Sequence, residues 1–228
     1  MTNSLTEMLN NHLLDKKKKN DKERAEIETR RRESKEFKFY PSSIGKCPRE
    51  IVYAMLGYPK PEIPSRVLRI FDNGDSMHER YQNWFAEMGI LISPELPIKD
   101  NELGISGRTD ALIRLNNELI LVELKSSNAK QFERMQKAGA PREEFSQQLQ
   151  LYLHLTGIKK GIILIENKND QSILEFEEEY DNTKANELVR KIRSCIHHAK
   201  EGTLPDRPFN KSSFECRYCD FNTECWRT

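Results

Sequence analysis

Residues 111–125 hold two aliphatic runs, ALIRL and ELILVELK, separated by the dipeptide Asn116–Asn117. Asparagine tolerates the positive φ of a two-residue hairpin turn, so the pair predicts two antiparallel strands joined tightly there. Leu115 then faces Glu118, and counting back along both strands brings Asp110 opposite Glu123. Directly opposed residues have Cβ atoms about 4.5–5.5 Å apart. Strand side chains alternate, so Lys125 shares the face of Glu123 while Val122 and Leu124 point the other way. A chain folded in this manner sets two carboxylates and an ammonium side by side. Two carboxylates that close repel unless a proton or cation lies between them, and hard oxygen donors suit Mg²⁺ or Mn²⁺. Lys125 is then placed to hold a phosphate oxygen or orient an attacking water. Glu-x-Lys alone carries little weight, since it recurs at Glu33/Lys35, Glu36/Lys38 and Glu166/Lys168. The opposed Asp110 is what singles out Glu123.

The flanking sequence predicts a frame for this hairpin. Pro48 suits a first helical turn and Gly57 a helix end, which gives a helix opening at 48 and ending at 57. Val67, Ile70, Met77, Tyr81, Trp84, Phe85 and Met88 fall near helical period and predict a helix over 66–88. Strands are expected at 90–98, 104–115, 118–125, 160–166 and 172–179, with helices at 141–155 and 184–200. Helices bracketing a mixed sheet make the class α/β. The chain has 228 residues, enough for one or two domains. Nothing in it nears the ~20 apolar residues of a membrane helix, and the N-terminus lacks a cleavable signal pattern. An intracellular, cytoplasmic protein of a prokaryote or a virus is expected, with no membrane partner.

Charge is nearly balanced, 37 Lys+Arg against 36 Asp+Glu, which decides nothing about nucleic acid because local fields outweigh the sum. Residues 1–38 are a segment apart, with KKKK at 16–19 and RRR at 30–32 interleaved with Glu23, Glu26, Glu28 and Glu33. They predict a charged helix or a disordered arm that buries little. The alternatives are a phosphate-contacting arm, a nuclear-import signal or a docking site for a protein partner. Residues 39–228 are expected to form one globular domain.

Five cysteines, an odd number, argue against a disulfide framework. Cys216, Cys219 and Cys225 stand in a C-x₂-C-x₅-C arrangement that lets one loop wrap a metal. Three thiolates need a fourth ligand, for which Cys47 is the best candidate. Cys195, near His197 and His198 in a helical stretch, suits a small buried residue. A Cys₄ site fits structural Zn²⁺ or a [4Fe–4S] cluster, and spacing does not separate them. A site joining Cys47 to the tail closes most of the globular chain, so its loss is expected to destabilise the fold. Two further elements converge on the carboxylates. His78 lies early in a helical pattern, in GDSMHERYQNWF, and is a candidate metal ligand. In QLQLYLHL, Gln148 and Tyr152 are four apart and share a helix face.

Together these residues resemble a PD-(D/E)XK nuclease of the iron–sulfur type, the group of CRISPR-associated exonucleases and RecB/AddB-type nuclease domains. The likeness runs from about Tyr40 to Trp226. Gly74-x-x-x-His78 resembles the first motif, which implies His78 as a metal ligand. Gly107-Arg108-Thr109-Asp110 resembles the second, with Asp110 as a metal carboxylate. Glu123-Leu124-Lys125 resembles the third: Glu123 and the Leu124 carbonyl as ligands, Lys125 as the catalytic lysine. Gln148-x-x-x-Tyr152 resembles the following helix, whose members contact DNA or tune the lysine. One distant cysteine followed by three C-terminal ones resembles the cluster-bearing members, and the cluster so implied is structural, supporting DNA binding. The charged arm before Tyr40 has no counterpart among the motifs. The resemblance implies a restriction-endonuclease-like core, an Mg²⁺ or Mn²⁺-dependent nuclease acting on DNA, and exonuclease action on single-stranded ends in recombination, repair, replication or processing. Tyr152, Tyr218, Phe221 and Trp226 are candidates for stacking on bases, although core packing is the commoner use of such rings. The competing expectation is a non-catalytic nucleic-acid-binding or assembly protein built around the cysteine site, with a redox or metal-storage role more distant.

Overall fold

A computed structural model describes residues 4–227. Its centre is a five-stranded sheet built from β1 (Leu91–Pro94), β4 (Ala111–Leu115), β5 (Glu118–Ser127), β6 (Lys160–Asn167) and β7 (Ile173–Glu179), side by side in that order. β5 and β6 run parallel and the other neighbours antiparallel, which is the mixed sheet expected. β2 (Pro97–Asp100) and β3 (Ile105–Arg108) form a separate antiparallel ribbon.

The parallel pair needs a crossover, and the chain supplies α4 (Ala129–Ala138) and α5 (Glu143–Thr156). These helices cover one face of the sheet, where Leu121, Ile163 and Ile165 pack on Phe132, Met135, Leu149 and Leu153. α3 (Ser65–Glu87) covers the other, with Met77 and Tyr81 against Ile120, Val122 and Leu124. A further core lies where α2 (Pro48–Leu56) and α6 (Asn182–Glu201) meet α5, around Ile51, Val52, Leu151, Ile192 and Cys195. Cys195 is fully buried there, the structural position anticipated for it. The tail carries two short helices, α7 (Phe214–Arg217) and α8 (Asn222–Cys225).

Local signals account for most boundaries. Gly57 ends α2 in left-handed backbone at φ 79°, and Asp181 caps α6 by accepting the Thr183 and Lys184 amides. The N-terminal segment is helical as α1 (Leu5–Glu33), opened by a capping box in which Ser4 and Glu7 exchange hydrogen bonds.

Three elements differ from expectation. The strand predicted over 90–98 divides into β1 and β2 because Glu95 turns the chain in left-handed backbone, φ 51°, between Pro94 and Pro97. Prolines lack the N–H of a continuous ladder. The strand predicted over 104–115 likewise divides at Thr109–Asp110, so that β3 leaves the sheet with β2. α4 was not anticipated, although Asn128 caps its start and Gly139 ends it at φ 62°.

The hairpin forms in the predicted register: Leu115 faces Glu118 and Ala111 faces Val122, with Asn116 and Asn117 at φ 50° and 66°. Asn117→Val should therefore lose about 1–2 kcal/mol, the cost of left-handed backbone for a β-branched residue that lacks asparagine's tolerance of it, whereas Asn117→Gly should hold or gain stability. Urea unfolding midpoints measure both.

Candidate metal and phosphate site

Asp110 stands at the break between β3 and β4, one position beyond the Ala111–Val122 pair, and so beside Glu123. Several contacts hold it there. Its Oδ2 accepts the Leu124 amide at 2.8 Å, and its carbonyl accepts Gln82 Nε2 from α3 at 2.8 Å. The preceding Arg108 carbonyl accepts the Tyr152 hydroxyl at 2.5 Å. Gly107 lies so close to Pro41, in the 3₁₀ turn Pro41–Ser43, that a Cβ would come within 2.8 Å of the proline ring. Glycine is required at that contact.

His78 reaches the same point from α3. Its Nδ1 lies 3.5 Å from Asp110 Oδ1 and its Nε2 3.1 Å from the Leu124 carbonyl oxygen. Glu123 is 1% exposed, and Lys125 Nζ forms an ion pair with its Oε1. The ammonium also lies 5.6 Å from the centre of the Phe145 ring on α5. Gln148, buried one helical turn before Tyr152, shares its face of that helix. His78, Asp110, Glu123, the Leu124 carbonyl and Lys125 thus share one corner, with Gln148 and Tyr152 as its wall.

The electrostatics follow from burial. Loss of water and then the Asp110 charge push Glu123 up to about 7. Burial raises Asp110 as well, against the pull of Lys125 and the Leu124 amide. For Lys125, burial pulls downward, but Glu123 and Asp110 outweigh it and the ammonium is held above its ordinary value. Burial and Lys125 lower His78, which keeps its imidazole neutral. Burial followed by the two carboxylates raises the Tyr152 phenol.

Some residues that build this corner were not anticipated. Gln82 lies one helical turn beyond His78, a spacing that could have found it. Glu166 on β6 accepts Arg80 Nη2 at both carboxylate oxygens, 2.7 and 2.6 Å, and the Tyr81 hydroxyl at 3.0 Å. This clamp fastens α3 to the sheet, and burial with Glu166 pushes the Tyr81 phenol up to about 12. Glu166 belonged to a Glu-x-Lys repeat discounted as chance.

The cysteine tail docks on α2. Phe221, 2% exposed, stacks on Tyr53 with ring centres 5.4 Å apart. Arg207 donates to the Cys225 carbonyl at 2.7 Å, Asn222 to the Cys216 carbonyl at 2.5 Å, and the Phe221 amide to Cys219 Sγ at 3.4 Å. Cys47 caps α2, where backbone amides of Arg49 and Glu50 favour its thiolate, yet burial leaves its pKa raised. Burial pushes Cys219 up to about 11, with Cys47 and Cys225 adding to the rise. Cys219 therefore feels both Cys47 and Cys225, and Cys47 feels Cys225. Among the described residues, no three His, Cys, Asp or Glu side chains converge into a ready-made metal cage, here or at the carboxylates. Of the rings considered for base stacking, Tyr152 and Phe221 belong to the core while Tyr218 is 75% exposed.

Comparison with known proteins agrees with this geometry. The family model of the PD-(D/E)XK nuclease superfamily matches residues 7–226. The chain belongs to that superfamily. It is an enzyme of the nuclease class, and the family match takes in most of α1 as well as the sheet and the tail. A curated relative, the CRISPR-associated exonuclease Cas4 of Saccharolobus solfataricus, is 27% identical over 196 residues, covering 82% of this chain and 86% of that protein. Among solved structures, SSO0001 covers 97% of this chain and 95% of its own at TM-score 0.57 and 23% identity. An alkaline exonuclease from Laribacter hongkongensis matches at TM-score 0.53 and 14% identity, over 72% of this chain and 89% of its own. These two share the superfamily's α/β fold. No helix among the described residues is long and apolar enough to cross a membrane.

The raised Glu123 gives the corner a pH signature. The folded state keeps a proton that the unfolded chain releases near 4.5. The stability this group contributes is full below pH 4.5 and is lost as pH rises through about 7. In EDTA, the melting temperature should fall across that window, and Glu123→Gln should flatten the fall. An equal slope in both proteins would contradict the assignment.

Proposed function

We propose that this corner hydrolyses DNA phosphodiester bonds with the help of divalent cations, working from single-stranded ends. The observation that carries the reading is the buried apposition of Asp110 and Glu123 beside Lys125. Two carboxylates with raised proton affinity, a neutral imidazole and a backbone carbonyl form a hard donor set suited to Mg²⁺ or Mn²⁺. His78, Asp110, Glu123 and the Leu124 carbonyl are the residues that would hold the ion. When bound, such an ion supplies Lewis acidity at the phosphate and makes water a better nucleophile near neutral pH.

The chain's own residues do the rest. Lys125, charged at neutral pH, meets the negative charge that gathers on the phosphate oxygens as water attacks phosphorus and the P–O bond to the leaving sugar oxygen breaks. Phe145 and the carboxylates fix the ammonium in place, so little reorganisation accompanies the reaction. Tyr152, bound to the Arg108 carbonyl, braces the strand end that carries Asp110. Exonuclease action is the activity named for the Saccharolobus relative, and we assign it here on that likeness together with the site.

The cysteine corner is assigned to a structural group held by Cys47, Cys216, Cys219 and Cys225, a [4Fe–4S] cluster in preference to Zn²⁺. The docking of the tail on α2, which brings Cys219 within electrostatic reach of Cys47, supports it. Residues 39–228 form the nuclease domain in this reading and residues 1–38 an arm outside it, whose helix α1 lies on the domain.

End-labelled single-stranded and duplex DNA with Mn²⁺ tests the catalytic assignment. Wild type should give a ladder of shortened products, and Lys125→Ala should cut ~10²–10³-fold more slowly, the usual loss for one charge-stabilising donor. A Lys125→Ala protein with wild-type rate would overturn the site. Protein purified without oxygen should be brown and Cys225→Ser colourless and less stable; colourless wild type holding stoichiometric zinc would replace the cluster with Zn²⁺.

A further inference from the structure

α1 has no buried residue, yet it is tied to the protein at two places. Near its start, the Asn10 side-chain oxygen accepts Ser65 Oγ at 2.9 Å and Arg69 Nη1 at 2.7 Å. Near its end, Glu28 accepts the Tyr40 hydroxyl at 2.9 Å and Arg31 at 2.8 Å, and Arg31 also reaches Tyr40 at 3.1 Å. Arg32 lies across Gly57, where a Cβ would come within 2.6 Å of its guanidinium. The two ties are roughly 27 Å apart along the helix at 1.5 Å per residue. Between them, α1 faces the core across a cleft of about 870 Å³. That volume lies within the ~300–1,000 Å³ of clefts that take small organic ligands, so groups of nucleotide size fit.

Both walls of the cleft are basic. Lys17, Lys18 and Arg24 project from α1, and Lys38, Lys46 and Lys60 from the opposite side. Three of the four acidic residues on the walls are engaged, Asp21 with Lys17 at 2.5 Å, Glu50 with Lys46 at 2.5 Å and Glu28 at the Tyr40 tie, which leaves Glu62 against the basic groups. Lys18, Arg24 and Lys38 make no ion pair among the described residues, and Lys60 sits 5.8 Å from the Phe221 ring centre. Phe39, Ile51 and Phe221, all buried, form an apolar floor. Phe39 and Phe221 are closed into the core, so recognition falls to the charges. Positive groups on two facing walls suit a polyanion lying between them.

We propose that a single nucleic-acid strand lies in the cleft beneath α1, held through its phosphates by Lys18 and Arg24 on one wall and Lys38 on the other. The proposal rests on DNA being the substrate and adds a strand-holding site apart from the carboxylates. The two are neighbours. Tyr40, Ser42 and Ser43 line the cleft, while Pro41 of the same turn packs on Gly107, next to the Arg108 carbonyl that anchors Tyr152. One short turn is the wall between them, so a strand leaving the cleft across it approaches Asp110.

Each phosphate neutralised on a single strand contributes about −0.7 to the slope of log affinity against log salt. Binding of a fluorescein-labelled oligothymidylate, followed by anisotropy in EDTA over a salt series, tests the proposal. Lys18→Gln/Arg24→Gln/Lys38→Gln should make the slope shallower by about 2 and weaken binding. A control, Lys184→Gln/Arg193→Gln/Lys200→Gln on α6, should keep the wild-type slope. Equal slopes for wild type and cleft variant, or equal losses in cleft variant and control, would overturn the cleft. Polyglutamate displacing the strand from wild type as well as unlabelled DNA does would reassign the cleft to an acidic protein segment and also overturn it. Wild type that cuts DNA in Mn²⁺ while the cleft variant binds normally would sink this inference alone. Wild type that neither cuts nor binds would remove the DNA reading beneath it.

Discussion

Burying two carboxylates against one ammonium is the constraint around which this fold is organised. Ionised groups lose hydration when they leave water, and the loss is tolerable only where hydrogen bonds and opposite charge replace it. Glu123 has Lys125; Asp110 has the Leu124 amide. The replacement is incomplete, since both acids remain raised. A site with surplus negative charge in a poorly hydrated corner has a built-in affinity for cations, and the superfamily to which the chain belongs generally employs divalent metals. The same surplus holds Lys125 protonated despite its burial.

Such a corner functions only if its parts keep their spacing, and the surrounding structure supplies that rigidity from several directions. The hairpin fixes Asp110 against β5. The Gln82 amide grips the Asp110 carbonyl from α3, and Tyr152 grips the carbonyl two residues earlier from α5. α3 is itself fastened to β6 by the Arg80–Glu166–Tyr81 clamp, with Arg80 also lying over the Tyr81 and Trp84 rings. Two helices on opposite faces of the sheet therefore converge on one strand break. At the break the Thr109 amide donates to the Leu96 carbonyl at 3.0 Å, so the turn around Glu95 braces the same point from the side of the sheet.

The legible part of this arrangement was the local part. The asparagine pair and the alternation on either side of it were enough to predict the register that brings Asp110 to Glu123, because a two-residue turn leaves the strands no freedom to slip. Helix ends were legible wherever a cap or a left-handed glycine marked them. α4 carried both marks, Asn128 and Gly139, and an amphipathic period that sets Phe132 and Met135 on its buried face, so it was legible; its short, polar sequence passes easily for a loop. The β2–β3 ribbon was hidden because its departure depends on how Pro94 and Pro97 meet a sheet that the sequence alone does not display. Glu166 was illegible for a different reason. Its partner Arg80 is 86 residues away, and nothing near either residue announces the pair. The cysteine spacing points to thiolate ligands and leaves the metal open, since thiolates serve zinc and iron alike.

α1 poses the remaining physical question, which is why a helix that buries nothing stays where it is. Isolated helices gain little net stability in water, and most helices in proteins are held by an apolar face. α1 lacks such a face; its order comes from the capping box, intrahelical pairs such as Lys17–Asp21, and ties at Asn10 and Glu28. Each exposed pair contributes little. Detaching one end of α1 therefore costs far less than unfolding the sheet, which places the helix among the low-stability elements that open locally. A weakly tied helix that turns Lys18 and Arg24 toward a cleft with Lys38 on its other wall carries like-charge repulsion across the gap. A polyanion entering that gap would relieve the repulsion and bind both walls at once. The property that makes α1 a poor structural element thus suits it to close over a charged strand and release it again.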